Sequence, residues 1–327
     1  MNADACSQLY EATAPRFGER LRSAESLGRY TSYRIGGPAD LFLDPADADD
    51  LCFALAESAR LGIPVTRLGG GTNILISDRG VRGLVVRLGR AFDYRNWHEE
   101  TRSRREDGNI ERRVIVDVGG ATRLAKLVSE SVAHGYAGLE FAAGIPGTVA
   151  GGALMNAGAF GGEIGDAIQY VEGVTLAGEK VRLDRARLGF SYRNLALDVE
   201  LVITSVRFSL LRSSVGRLKG VVDSVQTKRR RKQPLGVPNA GSVFKNPHGE
   251  YAGKLIEAAG LKGKTIGRAQ VSPDHANFIV NLGGAKAADV RSLMGFVQDE
   301  VWKRSGVWLE PEVKLIGDWD ETAASTS

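Results

Sequence analysis

The sequence predicts an α+β protein built from more than one domain, and three observations carry that prediction. Short β-branched or alternating segments occur along the chain together with helical stripes of apolar residues. A chain of 327 residues is too long for one small core and suits two or three domains. The third observation is local. The strand-like IPVTRL (63–68) runs into GGGTN (69–73), and the chain leaves that loop through ILIS and GLVVRL (83–88), which again read as strands. A Rossmann fingerprint needs its glycines to open a helix, so this loop is a strand-to-strand nest of amides, suited to a phosphate anion but not to the usual dinucleotide helix.

Composition narrows the class. Hydrophobic residues make up 43% and charged residues 25%, ordinary values for a globular chain. A net charge of +4 and a pI near 9.0 favour phosphorylated ligands without demanding nucleic acid. Cys6 and Cys52 are far apart in sequence, which fits a reducing compartment and excludes a disulfide scaffold. The four histidines are scattered and form no metal-ligand spacing, so no protein-held metal is expected. The N-terminal residues carry no signal-peptide pattern and no run approaches a membrane span, so a cytoplasmic protein without membrane contact is expected.

Along the chain, residues 1–30 are polar and mixed and read as a leading arm. Asp47 is placed to cap a helix carrying Leu51, Ala54, Leu55 and Ser58. Residues 95–113 are dense in charge and nearly free of aliphatics, the pattern of a solvated loop. VIVDVG (114–119) is a strand, followed by a helix with Leu124, Leu127, Val128 and Val132 on one face and Gly135 at its end. YVEGVTL, KVRL and LVITSVRFSL continue in β-type pattern to about residue 210. A helix marked by Val215, Leu218, Val221, Val222 and Val225 ends in the basic run before Pro234. KLIEAAG (254–260) is a short helix and HANFIVN (275–281) a strand. Val290, Leu293, Met294, Val297 and Val301 form a core-facing stripe. WLEPEVKLIG (308–317) alternates, with Leu309, Val313 and Leu315 on one side and Glu310, Glu312 and Lys314 on the other.

Between Gly144 and Glu163 lie seven glycines, with Asn156 the one amide. Two readings stand side by side: main chain wrapped against a large flat ligand, or a glycine-rich structural turn. The basic run at 228–232 is either a solvated helix end or a diphosphate site, and its lack of interleaved aromatics counts against nucleic acid. Ser242, Arg193, Glu310 and Glu312 are each unremarkable alone: a turn serine, an arginine beside an aromatic, and the wet face of a strand.

Taken together and in order, YTSYRIGGPAD (30–40), LGGGTNILI (68–76), GLEFAAGIPGTVAGGALMNAGAFGGE (138–163), FSYRN (190–194), RRRKQP (229–234), AGSVFKNP (240–247), AGKLIEAAGLKG (252–263), VSPDHANFIVN (271–281) and LEPEVKLIG (309–317) resemble the UDP-N-acetylenolpyruvoylglucosamine reductase (MurB) family. The resemblance spans residues 30–317. It implies a two-part FAD-binding fold of the vanillyl-alcohol-oxidase/PCMH type with a C-terminal α+β substrate-binding lobe. The implied division is an arm (1–30), two FAD-binding regions (31–90 and 91–212), a substrate-binding domain (213–318) and a tail (319–327). It implies FAD held without a covalent bond, NADPH as hydride donor, and reduction of the enolpyruvyl ether of a UDP-sugar to the lactyl ether. A monomer is expected.

The same resemblance assigns roles. Arg193, helped by Glu312, would face the substrate carboxylate, where negative charge grows as hydride arrives, and Ser242 would supply the proton. Gly69, Gly70, Gly71, Thr72, Asn73 and Ile74 would hold the FAD pyrophosphate. Gly144, Ile145, Pro146, Gly147, Val149, Asn156, Ala157 and Gly158 would hold the flavin and ribityl chain. Lys232 and Asn246 would hold the UDP diphosphate. Leu195 stands where the family usually has a serine, Phe160 replaces a common tyrosine, and no tyrosine-bearing insertion is present between about 211 and 227. Another oxidase or dehydrogenase of the same flavin fold is the alternative enzyme, and GSVFKNP with LEPEV argues against it.

Overall fold

The computed structural model describes residues 3–104, 110–230, 233–234 and 236–319. The first unit opens with helix α1 (Ala3–Phe17) and strand β1 (Leu21–Ser26), which pairs antiparallel with β2 (Pro38–Leu43). The leading arm expected over 1–30 is, from residue 3 on, a built part of this unit; residues 1–2 of that expectation lie outside the described residues. Leu9, Phe17 and Leu21 are buried against its sheet. Leu9, Thr13 and Phe17 are the buried residues of the helix, and only the small Ala5, Cys6 and Ala14 pack beside them on the same core, too little large apolar surface to stand out in a polar segment.

Helix α2 (Ala48–Arg60) forms as its sequence predicts: Asp47 accepts a hydrogen bond from the Asp50 amide at 2.8 Å, and Leu51, Ala54, Leu55 and Ser58 are buried. Strands β3 (Val65–Leu68), β4 (Ile74–Ile76) and β5 (Val81–Arg87) follow. The sheet order is β1-β2-β5-β3, with β5 parallel to both of its neighbours. The GGGTN loop joins β3 to β4, strand to strand, as expected.

The second unit corrects the solvated loop expected at 95–113. Strands β6 (Arg95–Trp97) and β7 (Thr101–Arg104) both pair antiparallel with β8 (Ile110–Gly119). Polar side chains find partners here, and Trp97 packs partly against the core. Arg95 Nε is 2.9 Å from Glu130, and His98 Nε2 is 2.7 Å from Asp117. Trp97 stacks on His134, with ring centroids 5.0 Å apart. A strand held by paired charges shows no hydrophobic alternation, so sequence pattern alone does not reveal it. Residues 105–109 of that call lie outside the described residues.

Helix α3 (Leu124–His134) ends at Gly135, φ +75°, as its pattern predicts. After β9 (Tyr136–Ala137) and the short helix α4 (Val149–Leu154), β10 (Gly158–Ala159) and β11 (Gly162–Glu163) make a tight hairpin. Strands β12 (Ile168–Thr175), β13 (Lys180–Asp184), the hairpin of β14 (Gly189–Ser191) with β15 (Asn194–Ala196), and β16 (Leu201–Arg212) complete the unit. Its main sheet runs β13-β12-β16-β8-β6, with α3 and α4 in the core on one face. Helix α5 (Val215–Arg230), expected to open the third lobe, packs instead on α3 and β9, with Val225 in the second core.

The third lobe contains α6 (Ala252–Ala258), an antiparallel sheet of β17 (Thr265–Ile266), β18 (Ala269–Val271) and β19 (Ile279–Asn281), and α7 (Ala287–Ser305). Val290, Leu293, Met294, Val297 and Val301 are all buried. The strand expected over 275–281 is shorter, because Phe278 N–H closes a turn onto His275 O at 3.0 Å. Strand β20 (Lys314–Ile316) then leaves the lobe and pairs in parallel with β4. Leu309 and Val313 are buried as predicted, but Leu315 is 40% exposed, since the chain has by then crossed to the first unit. Tyr33, Ile35 and Leu75 reach the other way into the core of the third lobe.

Candidate active site

The two glycine-rich segments lie against each other. A Cβ on Gly70 would stand 2.8 Å from Gly147 Cα, and one on Gly147 would stand 2.9 Å from Thr72 Oγ1. Gly71 has φ +63° and a Cβ there would fall 1.9 Å from Tyr30 O. Side chains are excluded by contact as well as by backbone angle, which leaves a bed of main chain built from both units. Gly69, Gly144 and Pro146 are exposed on it, and Gly70, Thr72, Ile74, Ile145, Gly147 and Gly158 are half-buried.

Other expected cofactor residues serve that bed from beneath. Gly71, Val149, Asn156 and Ala157 are buried. The Val149 amide donates to Thr122 O at 2.8 Å. Asn156, at φ +40°, donates through Nδ2 to Glu163 at 2.6 Å and to Ser191 O at 3.0 Å, and accepts from Gly165 N–H at 3.1 Å. Its amide is spent on holding the glycine stretch to the β14–β15 hairpin. Asn73 likewise donates to Glu312 O at 3.1 Å, tying the GGGTN loop to the third lobe.

Arg193 occupies the tip of the β14–β15 hairpin at φ +56°, a region uncommon for a residue with a Cβ. Its Nη1 donates to Gly158 O at 2.9 Å, and its Nε is 2.7 Å from Glu312 Oε1. Leu195 is buried in the second core, so Arg193 is fixed by Gly158 and Glu312 without the serine common in the family. Burial pushes the Glu312 carboxyl above the usual glutamate range, offset in part by Arg193. The Glu312 amide donates to Val243 O at 2.7 Å, and the Val243 amide donates to Asn277 O at 2.9 Å. Ser242, next in the chain to Val243, is half-buried, and its hydroxyl makes no hydrogen bond to another described residue. Three residues weak in isolation, from three distant motifs, are thus brought to one place.

Glu310 turns outward and pairs with Lys245. Asn246 is exposed, and its Oδ1 accepts from the Ala252 amide at 3.2 Å at the start of α6. Lys232 lies outside the described residues. Sequence reasoning missed Arg229 as an individual, because it reads as one of five consecutive cations. Within 230 residues of helix and strand signals, nothing but tertiary contact separates it from Lys228 and Arg230.

A bed rich in unsubstituted main chain, with the Arg193–Glu312 pair at its edge and Ser242 on a neighbouring element, makes the candidate site, and the chain is that of a flavoprotein. Residues 39–184 match the family model described as an FAD binding domain. Residues 233–316 match that of the UDP-N-acetylenolpyruvoylglucosamine reductase C-terminal domain. A UDP-N-acetylenolpyruvoylglucosamine reductase of Symbiobacterium thermophilum is 45% identical over 91% of this chain and 92% of its own. One from an Anaeromyxobacter species is 43% identical over 92% of this chain and 90% of its own. The crystal structure of the enzyme from Thermus caldophilus superposes with a TM-score of 0.75 at 34% identity, covering 90% of this chain and 98% of that one. The chain belongs to the UDP-N-acetylenolpyruvoylglucosamine reductase family.

Proposed function

We propose that this protein reduces UDP-N-acetyl-3-O-(1-carboxyvinyl)-glucosamine to UDP-N-acetylmuramate with NADPH, as a cytoplasmic monomer in peptidoglycan precursor synthesis. The observation that carries the reading is the Arg193–Glu312 pair standing against the glycine bed. FAD fits that bed, since an added Cβ on Gly70, Gly71 or Gly147 meets protein within 2.9 Å and the surface is left to main chain. Bound there without a covalent link, FAD supplies the hydride transfer from NADPH to the enolpyruvyl double bond.

The protein's own residues supply the rest. Arg193 presents a guanidinium to the substrate carboxylate, where charge accumulates in the transition state, and its hydrogen bond to Gly158 O keeps it aimed there beforehand. Glu312 fixes the other side of the guanidinium. Ser242 donates a proton to the neighbouring carbon; a hydroxyl suffices because a carbanion-like acceptor is strongly basic. Among the described residues, no helix is long and apolar enough to cross a membrane. The test is twofold: purified protein should carry bound flavin, and its NADPH oxidation should depend on the enolpyruvyl UDP-sugar. Colourless protein that takes up no FAD, or oxidation indifferent to that substrate, would refute the assignment.

A further inference from the structure

The basic run at the end of α5 is not uniform. Lys228 and Arg230 are exposed; Lys228 Nζ also stands 5.9 Å from the centre of the Phe160 ring, and Arg230 contacts Gln226. Arg229 turns inward onto the glycine bed. Its Cδ lies 3.1 Å from where a Gly144 Cβ would be, its Nη1 makes a long 3.5 Å contact with Gly144 O, and its guanidinium stands 5.7 Å from the centre of the Phe160 ring. Its Nε is buried and makes no hydrogen bond, and it has no carboxylate partner among the described residues. Burial, followed by the charge of Arg193, holds it below the usual guanidinium value.

Arg229 lies within the field of the Arg193 guanidinium, and the carboxylate of Glu312 is paired with Arg193, so the charge of Arg229 is left uncompensated by any carboxylate among the described residues. A half-desolvated cation facing a like charge is unfavourable in the free protein, and it is retained where an anion completes the set. The hairpin of β10 and β11 reinforces the arrangement. Phe160 sits at its tip at φ +53°, a strained angle for a bulky residue, and its ring lies beside the Arg229 guanidinium. Gly144 itself, at φ +81°, leaves the space through which the arginine stem passes.

We infer that Arg229 is a second anion-contacting residue of the reaction centre, which receives the substrate carboxylate together with Arg193. The inference rests on the reductase reading above and extends it. Its rival within the same chemistry is contact with the UDP diphosphate. The two separate with a pair of probes sharing the diphosphate: UDP-N-acetylmuramate carries the carboxylate and UDP-N-acetylglucosamine does not. Each is titrated by calorimetry into flavin-loaded wild type, Arg229→Ala and Arg229→Lys. Arg229→Ala should weaken UDP-N-acetylmuramate by roughly 10- to 100-fold and UDP-N-acetylglucosamine by less than about 3-fold. Arg229→Lys, which keeps the stem beside Gly144 and the charge but not the fork, should show a smaller loss confined to the same ligand, and it carries the test if the alanine variant does not fold. Equal weakening of both probes, or of neither, overturns the inference. Wild type that binds neither probe refutes the reductase reading instead.

Discussion

At Arg193 the backbone and the side chain point to the same conclusion. A left-handed residue with a Cβ persists only where its surroundings over-determine it, and here Gly158 O and Glu312 do so. The Ser242 hydroxyl makes no hydrogen bond to another described residue, so replacing it removes little structure. Ser242→Ala should leave flavin reduction by NADPH intact and slow reoxidation by the enolpyruvyl substrate on the order of 10²–10⁴-fold. Stopped-flow traces with both halves slowed equally would remove it from the role. Glu312 gives a pH signature. Its folded pKa lies above the unfolded 4.5 because of burial, so in the interval between the two the native state holds a proton that the unfolded chain has lost. The contribution of Glu312 to stability is therefore lost as pH rises from about 4.5 through the folded value, a loss that Glu312→Gln does not share. The difference in thermal midpoint between the two should shift toward the glutamine variant across that range; a constant difference would contradict it.

The two glycine loops show what local sequence conveys at the scale of elements. GGGTN between two strand patterns was enough to exclude a dinucleotide helix, since the period changes nowhere from 2 to 3.6. That this loop rests on Gly147 was not legible, because the contact joins residues 77 positions apart through bare main chain, which leaves no side-chain pattern. Gly71→Ala combines φ +63° with a collision against Tyr30 O, so it should cost more than about 2 kcal/mol and lower bound flavin per chain. Full flavin content in a variant of unchanged stability would mean that the loop tolerates the side chain. The 95–113 segment makes the opposite point. Its strands are held through Glu130 and Asp117, and charge pairing of that kind reads in sequence as a solvated loop.

Across the whole molecule, the third lobe is fastened to the first unit in both directions. Tyr33 enters the core of the lobe, β20 returns to β4, and Asn281 Nδ2 donates to Tyr33 O at 2.9 Å while its Oδ1 accepts from Gly283 and Ala285. Asn281→Ala would leave buried backbone groups unpaired on both sides of that junction. A loss of about 2–3 kcal/mol is expected, read as a lower thermal midpoint. An unchanged midpoint would show that the junction carries little of the stability. The same junction brings Glu312 to Arg193 and ties it to the GGGTN loop through Asn73.

The sequence by itself determined the capped helix at Asp47, the stripes of α3 and α7, the strand-to-strand glycine loop and, through its ordered motifs, the family. Each of these is written in neighbouring residues, at a helical or strand period or as a contiguous motif. Only the tertiary structure decided that α1 and β1 belong to the first unit, that α5 packs on the second unit, that Asn73 and Asn156 brace the candidate site, and that Arg229 turns inward while Lys228 and Arg230 stay exposed. Those outcomes depend on contacts between segments far apart in the chain, and a local pattern carries no record of which distant surface a residue meets.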